Sequence, residues 1–400
     1  MLLIKILKYA DYGKRIMLFI LLFIPAYIYS FLVKNKEEYK GVWLISERGD
    51  EARDNAYHLF RYIKENHSNI NAFFVITKDS PDINKVKKYG TLIKPNSFKH
   101  FLLFILSEKL ISTHFYGAAP YGKACKYFLW LLPKKQHIFL QHGITQNKLV
   151  ISEVNDLVIC ASDFEVKLFS INSPKVLESI KIIGLCRYDK LIDLSNSLNE
   201  KIILIMPTFR MWLEDASRLK NKDEIFINDP YYIYWNDLLN DVTLNKYCQE
   251  NGLKIIFYPH YRSQKYLHNF KSNFENIIIA NNTMFDIQDL LKKSSIMITD
   301  FSSVFFDFAY MEKPVIYYQF DEEKFRKFQY KEGEFTYKNN GFGPVFKEKE
   351  SVVNYIIDRI NNNFKMEEMY IKRVNTFFKY RDQNNTKRNF EAIIALDKKV

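Results

Sequence analysis

The sequence predicts an α/β protein built from two doubly wound domains, with an apolar extension at the N-terminus. Strand-like apolar runs alternate with helix-like patterns from Gly41 to about residue 320, and this order is typical of parallel sheets. A polar segment, residues 193–200, interrupts the alternation and marks the best domain boundary. Clusters of polar residues directly follow several predicted strands, which is where open α/β sheets bind their ligands.

Composition narrows the classes of partner. A chain of 400 residues can form two domains with ample cores, and its net charge of +12 favours anionic partners. The basic residues are spread out and no nucleic-acid motif is present, so we do not expect nucleic-acid binding. The 4 cysteines lack CxxC or CxxH spacing, which argues against a disulfide scaffold or a zinc site and fits a reducing compartment.

Residues 1–40 are apolar and basic. Residues 16–33 contain no charged side chain, whereas Lys14, Arg15 and Lys34 flank them and Pro25 lies in their middle. As a helix this stretch would be about 27 Å long, just short of a hydrocarbon core of roughly 30 Å. A membrane span and a buried helix are alternatives, and a secretory signal would lack its A-x-A site. We predict that residues 1–40 attach the protein to an anionic membrane surface.

The first predicted domain covers residues 41–195. Its strands are predicted at residues 42–46, 71–77, 109–112, 137–140, 157–161 and 181–183, and its helices at 51–66, 98–106 and 124–132. Gln141, His142 and Gly143 follow the fourth of these strands. A histidine at a strand end can accept a hydroxyl proton at neutral pH, and the glycine lets a substrate approach the backbone. A core histidine bonded to backbone is the alternative. His114 also follows a strand.

The second predicted domain covers residues 196–400 and ends in a helical tail from about residue 349. Its strands are predicted at residues 202–206, 253–258, 277–280, 296–299 and 315–318, and its helices at 230–251, 284–293 and about 304–311. Two strands end in the segments 207–210 and 259–262. The strand 296–299 leads through Asp300, Ser302 and Ser303 into a helix, and Pro314 ends that helix. Hydroxyls at such a helix start can bind a diphosphate, although an ordinary capped turn has the same pattern.

Six segments in this order resemble the CDP-glycerol:poly(glycerophosphate) glycerophosphotransferase family, whose members make teichoic-acid-like and capsular polymers. The matching segments are residues 46–55, 141–148, 184–189, 207–210, 258–261 and 298–307. The resemblance implies a GT-B-like fold, with two Rossmann-like domains facing a cleft and CDP bound by the second domain. It also implies a bacterial, peripheral membrane enzyme on the cytoplasmic face of the cell membrane.

The implied reaction transfers glycerol phosphate, or a related polyol phosphate, from CDP-glycerol to a hydroxyl of a lipid-linked or polymeric cell-surface glycan, with release of CMP. Leu291 and Ser295 depart from the family pattern, which usually has an aromatic residue and an acid there, so the polyol stays open. The sequence as given has no large extra N-terminal region, so long-chain polymerisation is not implied. The alternatives are a GT-B glycosyltransferase that uses a nucleotide sugar and a non-catalytic module that binds anionic polymer.

Phosphoryl transfer requires alignment, charge neutralisation and proton management. We predict His142 as the general base and His260 as the residue that stabilises the diphosphate or protonates the leaving CMP. For donor and phosphate binding the sequence predicts Arg210, Arg262, Ser302, Ser303, Asp300 and Glu312, with Lys148, Arg187 and Asp307 as weaker candidates. Glu312 would bind a ribose diol. No paired carboxylate spacing is present, so no metal site or other cofactor is expected.

Overall fold

The computed structural model describes residues 2–146, 149–197 and 200–399, and these residues form two compact α/β units. The first unit contains residues 1–144, 149–190 and 379–400, and the second contains residues 145–148 and 191–378. Each unit has its own parallel sheet, which confirms the predicted fold class.

Within the described residues, the first unit has a seven-stranded sheet with helices around it. Its strands are β1 (Trp43–Ser46), β2 (Ala72–Val75), β3 (Leu92–Ile93), β4 (Lys109–Ser112), β5 (Gln136–Phe139), β6 (Leu157–Cys160) and β7 (Ile180–Ile182). Its first helices are α1 (Leu2–Val33), α2 (Asn55–Asn66), α3 (Ile83–Lys87), α4 (Phe98–Leu106) and α5 (Asp163–Asn172). The strand order is β3-β2-β1-β4-β5-β6-β7.

The second unit repeats this plan with six strands among its described residues. The strands are β8 (Lys201–Ile205), β9 (Leu253–Phe257), β10 (Ile277–Ile279), β11 (Ile296–Thr299), β12 (Val315–Tyr318) and β13 (Val345–Phe346). The helices are α6 (Met211–Ala216), α7 (Lys222–Ile227), α8 (Pro230–Leu239), α9 (Val242–Glu250), α10 (Ile287–Lys293), α11 (Phe305–Tyr310), α12 (Glu322–Phe328), α13 (Tyr337–Asn340), α14 (Lys349–Asn361) and α15 (Glu368–Phe377). The strand order is β10-β9-β8-β11-β12-β13.

Both sheets reverse their strand order at one point. In the first unit the reversal lies between β1 and β4, and in the second unit it lies between β8 and β11. Loops that leave the carboxyl ends of such a strand pair diverge to opposite faces of the sheet and leave a crevice in which ligands bind. The fold therefore favours two ligand-binding edges, one in each unit.

Helix α1 packs one apolar face on the first unit and leaves another exposed. Phe19 and Phe23 are buried, and the Phe19 ring lies 5.0 Å from that of Phe101 in α4 and 4.7 Å from that of Phe128 (ring centroids). The opposite face is apolar and exposed, with the residues Met17, Leu21, Ile24, Ile28, Phe31 and Leu32. In the described part of the chain, the segment Gly13–Val33 is the one helical stretch long and apolar enough to cross a membrane.

The last helix, α16 (Asn385–Ala395), belongs to the first unit rather than to the second. Asp189 holds its start, because this carboxylate accepts hydrogen bonds from the backbone N–H groups of Asn385 and Thr386, both 2.8 Å long. Gly184 (φ +82°) permits the close approach, since a Cβ there would meet Asn385 Oδ1 at 1.8 Å. The units thus divide near residue 190 instead of 195, and residues 379–400 do not stay with the predicted second domain.

Candidate active site

The first ligand-binding edge gathers three nitrogen-rich side chains from three neighbouring strands. Arg48 follows β1, His114 follows β4 and His142 follows β5. Because Ser46 pairs with Ser112, and Ser112 with Phe139, the three strands end at the same level. The His114 and His142 rings are 4.8 Å apart between centroids. His142, which the sequence predicts as the base, therefore lies beside Arg48 and His114, neither of which was assigned to catalysis from the sequence.

Asp54 orients His142. The Nδ1 atom of the imidazole lies 2.6 Å from Asp54 Oδ2, and the imidazole side chain is 50% exposed. Arg187 Nη1 donates to Asp54 Oδ1 at 2.8 Å and to the His142 carbonyl oxygen at 2.9 Å. A carboxylate on Nδ1 holds a neutral imidazole with its proton on that nitrogen and its lone pair on Nε2. This is the arrangement of a general base.

The same contacts keep Asp54 ionised. Burial alone would raise the pKa of its carboxyl, but the Arg187 guanidinium and His142 outweigh burial and lower the pKa to about 2. Asp54 also caps α2, since its side chain accepts a hydrogen bond from the Asn55 N–H at 2.7 Å. Arg187, a weaker candidate in the sequence, is buried and acts on Asp54 and His142.

Glu47 folds the loop that presents Asp54. Its buried carboxylate accepts the backbone N–H groups of Arg53, Asp54 and Tyr57, each at 2.9 Å. Burial and the nearby Asp54 raise the pKa of Glu47 well above its usual value. The loop occupies residues 47–53, so α2 begins at Asn55 and not at the predicted residue 51. Without this fold, Asp54 could not reach back to His142.

Gln141 turns the chain between β5 and His142. Its backbone is left-handed (φ 58°), and its side-chain Nε2 donates to Glu165 Oε1 at 3.0 Å. Glu165 lies at the start of α5 and is fully buried, which raises its pKa to about 7. The Asn55 side chain donates to the Gln141 carbonyl oxygen at 2.9 Å. These contacts fix the backbone on which His142 stands.

At the second edge, Arg210 is buried and bound to two carboxylates. Its Nε and Nη2 atoms contact Asp321 at 2.7 and 2.9 Å, and Nη2 lies 2.8 Å from Asp300 Oδ2. The Arg210 side chain is 0% exposed. The prediction that Arg210 binds donor phosphate is therefore corrected: the guanidinium is saturated inside the unit and holds the segment 207–210 against the sheet.

His260 and Arg262 lie on the outside of this edge. The His260 ring is 4.9 Å from the Phe209 ring, and the Arg262 guanidinium lies 4.7 Å from the Phe209 centroid. The Arg262 backbone N–H donates to His260 Nδ1 at 3.3 Å. Because this bond uses the lone pair on Nδ1, a neutral His260 carries its proton on Nε2. His260 can therefore donate a hydrogen bond where His142 can accept one.

The turn after β11 contains the predicted donor-binding residues. Asp300 is fully buried and accepts from the backbone N–H groups of Thr208 and Phe301, so it orients its neighbours and does not face solvent. Ser303 is exposed and Ser302 is half-buried, and α11 begins only at Phe305. Their predicted contact with phosphate stays a prediction.

The other three candidates have different positions. Asp307 is buried in α11, and Glu312 is partly buried and follows that helix with a left-handed backbone (φ 56°). Their predicted roles stay predictions. Lys148 lies outside the described residues. Among the residues that the structure describes, no group of three or more His, Cys, Asp or Glu side chains could hold a metal ion.

Comparisons with known proteins identify the family and agree with this fold. The sequence profile of the CDP-Glycerol:Poly(glycerophosphate) glycerophosphotransferase family matches residues 27–395. The minor teichoic acid biosynthesis protein GgaB of Bacillus subtilis (strain 168) is 38% identical over 371 residues, which are 90% of this chain and 40% of GgaB. A teichoic acid poly(glycerol phosphate) polymerase of Staphylococcus epidermidis is 21% identical over 82% of this chain and 46% of its own length. The chain thus spans less than half the length of these relatives.

Solved structures show the same fold. The wall teichoic acid polymerase TagF aligns with a TM-score of 0.66 and 17% identity over 98% of both chains. A Staphylococcus aureus MnaA structure with UDP aligns less well, with a TM-score of 0.53 and 13% identity over 88% of this chain and 95% of the other. The extent of the profile match and the identity with GgaB show that this chain belongs to the CDP-glycerol:poly(glycerophosphate) glycerophosphotransferase family.

Proposed function

We propose that this protein transfers glycerol phosphate, or a related polyol phosphate, from a CDP-activated donor to a hydroxyl of a lipid-linked glycan, with release of CMP. The pairing of Asp54 with His142 carries the proposal, because it leaves a lone pair on His142 Nε2 that can accept the proton of the acceptor hydroxyl. The product would be a teichoic-acid or capsule-type cell-wall polymer, or a unit of one.

In the proposed reaction, the acceptor hydroxyl gives its proton to His142 Nε2 while its oxygen attacks the distal phosphorus of the donor. Asp54 stabilises the imidazolium that forms, because its ionised carboxylate faces Nδ1 at 2.6 Å. The bond between that phosphorus and the bridging oxygen breaks, and the oxygen leaves with CMP. No step in this scheme uses a protein-bound metal.

The second unit would hold the donor. His260 would donate from Nε2 to the diphosphate, and the partly exposed Arg262 guanidinium next to it would bind phosphate oxygens. Ser302 and Ser303 would add hydroxyl donors at the turn after β11. These four residues are exposed or partly exposed, whereas Arg210 and Asp300 are paired with each other in the interior of the unit.

Donor screening tests this function. The purified chain would be incubated with CDP-glycerol, CDP-ribitol or nucleotide sugars and with membranes that contain lipid-linked saccharides. We expect CMP release and an acceptor mass increase of one or more polyol phosphates. Release of a nucleoside diphosphate from a nucleotide sugar, with transfer of the sugar alone, would instead show a GT-B glycosyltransferase.

We also propose that the exposed face of α1 holds the enzyme on the cytoplasmic face of the membrane. Leu21 and Ile28 are 59% and 63% exposed, whereas Phe19 and Phe23 on the other face are core residues. A helix that packs on its own domain along one side fits an orientation in the plane of the interface better than a span. The basic Lys14, Arg15 and Lys34 at its ends would attract anionic lipid.

The packing also decides how to test attachment. Deletion of residues 1–36 would remove Phe19 and Phe23 from the core, so a double substitution, Leu21→Glu with Ile28→Glu, is cleaner. We expect it to release the protein from anionic vesicles. Val242→Glu, at a residue 68% exposed in the second unit, is the control and should leave binding intact. Unchanged sedimentation of the double variant would place the attachment elsewhere.

A further inference from the structure

Arg48 contacts the two imidazoles of the first ligand-binding edge. Its Nη2 lies 3.2 Å from His142 Nε2, and its Nε lies 3.4 Å from His114 Nε2. A guanidinium stays protonated in proteins and only donates hydrogen bonds. Each imidazole nitrogen that faces Arg48 must therefore present a lone pair.

The opposite nitrogens of the two rings have partners that agree with this assignment. His142 Nδ1 faces Asp54 Oδ2 at 2.6 Å, and His114 Nδ1 lies 2.9 Å from Thr113 Oγ1. Both rings are then neutral, with the proton on Nδ1. The atom that Arg48 occupies on His142 is the same Nε2 that has to accept the hydroxyl proton.

We propose that Arg48 is a positioning residue that keeps His142 Nε2 unprotonated until a substrate phosphate oxyanion binds the guanidinium and frees that nitrogen. This inference rests on the proposed function. A phosphate can accept two charge-assisted hydrogen bonds from one guanidinium, which is a better match than two neutral imidazoles. The exchange makes the base available when an anionic substrate arrives.

The surroundings of Arg48 permit such an exchange. Its Nε lies 3.3 Å from Glu51 Oε1, and both side chains are partly exposed. Glu51 can hold Nε at the edge of the sheet while Nη2 leaves His142 for the phosphate. The other charged groups around the two histidines, Asp54, Arg187 and Glu47, are buried and hydrogen-bonded within the unit, so we expect them to stay in place.

Steady-state kinetics of the 400-residue chain test the substrate half of this inference. In Arg48→Gln we expect a rise of about 10- to 100-fold in the KM of the substrate whose phosphate is bound, since a hydrogen bond to a charged group is lost. A change in the acceptor KM would identify an acceptor phosphate, and a change in the donor KM would identify the donor diphosphate. The acid limb of the kcat/KM profile should also move to higher pH.

Two further variants separate position from charge. Arg48→Lys keeps the charge but not the fork geometry, so it should restore the acid limb and leave the KM raised. Arg61→Gln is the matched control, because Arg61 is similarly exposed (34%, against 31% for Arg48) and pairs with Glu65 away from the histidines. It should change neither quantity. Wild-type kinetics in Arg48→Gln would overturn the inference and leave the proposed function standing.

Nuclear magnetic resonance gives a readout that does not need activity. Burial, together with the neighbouring His142 and Arg48, lowers the pKa of His114 to about 4, so Arg48→Gln should raise the His114 pKa. Inorganic phosphate should shift the His142 Nε2 signal of the parent protein and not that of the variant. An unaltered His114 titration, or an equal phosphate response in both proteins, would reject the inference. These spectra stay informative even if no CDP-polyol proves to be a donor.

Discussion

The two units share one arrangement at equivalent strands, a buried lysine followed six residues later by a buried glutamine, which we call the frame. They differ in the residues that come after the glutamine. Lys135 precedes β5 in the first unit, and Lys313 precedes β12 in the second. Each lysine is buried and donates to the final backbone carbonyls of the helix before the neighbouring strand. Six residues after each lysine stands a buried glutamine, Gln141 or Gln319. Sequence patterns alone did not reveal this repeat.

The residues that follow the glutamines differ. In the first unit the next residue is His142, whose imidazole is half exposed. In the second unit Asp321 comes two residues after Gln319 and is buried against Arg210. The same frame thus supports a half-exposed imidazole in one unit and a buried ion pair in the other. In the proposed mechanism, charge at the first edge serves chemistry, whereas charge at the second edge holds the segment 207–210 in place.

Removal of the proposed base, His142, should give the largest effect on activity. We expect His142→Ala to lower turnover about 10²- to 10⁴-fold, since general-base catalysis contributes that much. The donor should still bind, which calorimetric titration with CDP-glycerol can measure beside CMP release. His260→Ala should instead weaken donor binding as well as turnover. Near-normal turnover of His142→Ala would make His114 the next residue to examine.

Removal of the buried counter-ion should give the largest effect on stability. Asp321→Ala leaves the Arg210 guanidinium with Asp300 alone, and breaking a buried pair typically costs about 3–5 kcal/mol of unfolding free energy. Denaturant unfolding followed by circular dichroism measures this loss. Glu65→Ala removes an exposed partner of Arg61 and should cost less than about 1 kcal/mol. Equal losses in the two variants would show that the buried Arg210–Asp321 pair contributes no more to stability than an exposed pair.

The sequence predicted the parts of this comparison that are local. His142 and the segments 207–210 and 259–262 were found because they directly follow apolar strands. Asp54 was missed as the partner of His142, although it lies in a segment that resembles the family, because it is eight residues beyond its strand. Only the folding of the loop around Glu47 brings it back.

Arg210 shows the opposite error. An arginine at a strand end has the pattern of a phosphate ligand, but its partner Asp321 is 111 residues away in the chain. The contacts of the segment 184–189 could not be predicted either. Gly184 and Asp189 contact the start of α16, and Arg187 binds Asp54. Such long-range pairings depend on packing and leave no periodic signal in the sequence.

The ionisation of Asp54 should also change how the stability of the protein depends on pH in acid. The Asp54 pKa falls from its usual 3.8 to about 2 in the folded protein, so the unfolded chain takes up a proton first as the pH drops. The stabilisation is complete above about pH 4 and is lost between pH 4 and pH 2, and it amounts to about 2 kcal/mol. Asp54→Asn should flatten this part of the stability profile. An unchanged slope would show that Asp54 is not ionised by its neighbours.

The smallest expected effect concerns the frame that both units share. Lys313 Nζ donates to the carbonyls of Leu291, Lys292 and Ser294, at 2.5, 3.1 and 2.7 Å, whereas Lys135 Nζ reaches two carbonyls. Substitution by Met keeps the apolar stem and leaves these buried oxygens without their donor, at a cost of about 1–3 kcal/mol. Because Lys313 satisfies one carbonyl more, Lys313→Met should destabilise by about 1 kcal/mol more than Lys135→Met in urea titrations. The reverse order would show that the number of carbonyls does not decide the cost. Burial lowers the pKa of both lysines to about 7, so each would lose its proton in the folded protein between pH 6 and pH 9. The unfolded lysine stays charged at both pH values, so a lysine with a lowered folded pKa stabilises the fold more at pH 9 than at pH 6. Repeating the titrations at pH 6 and pH 9 should therefore give a larger loss on substitution by Met at pH 9, whereas a lysine that stays charged in the fold would give the same loss at both values.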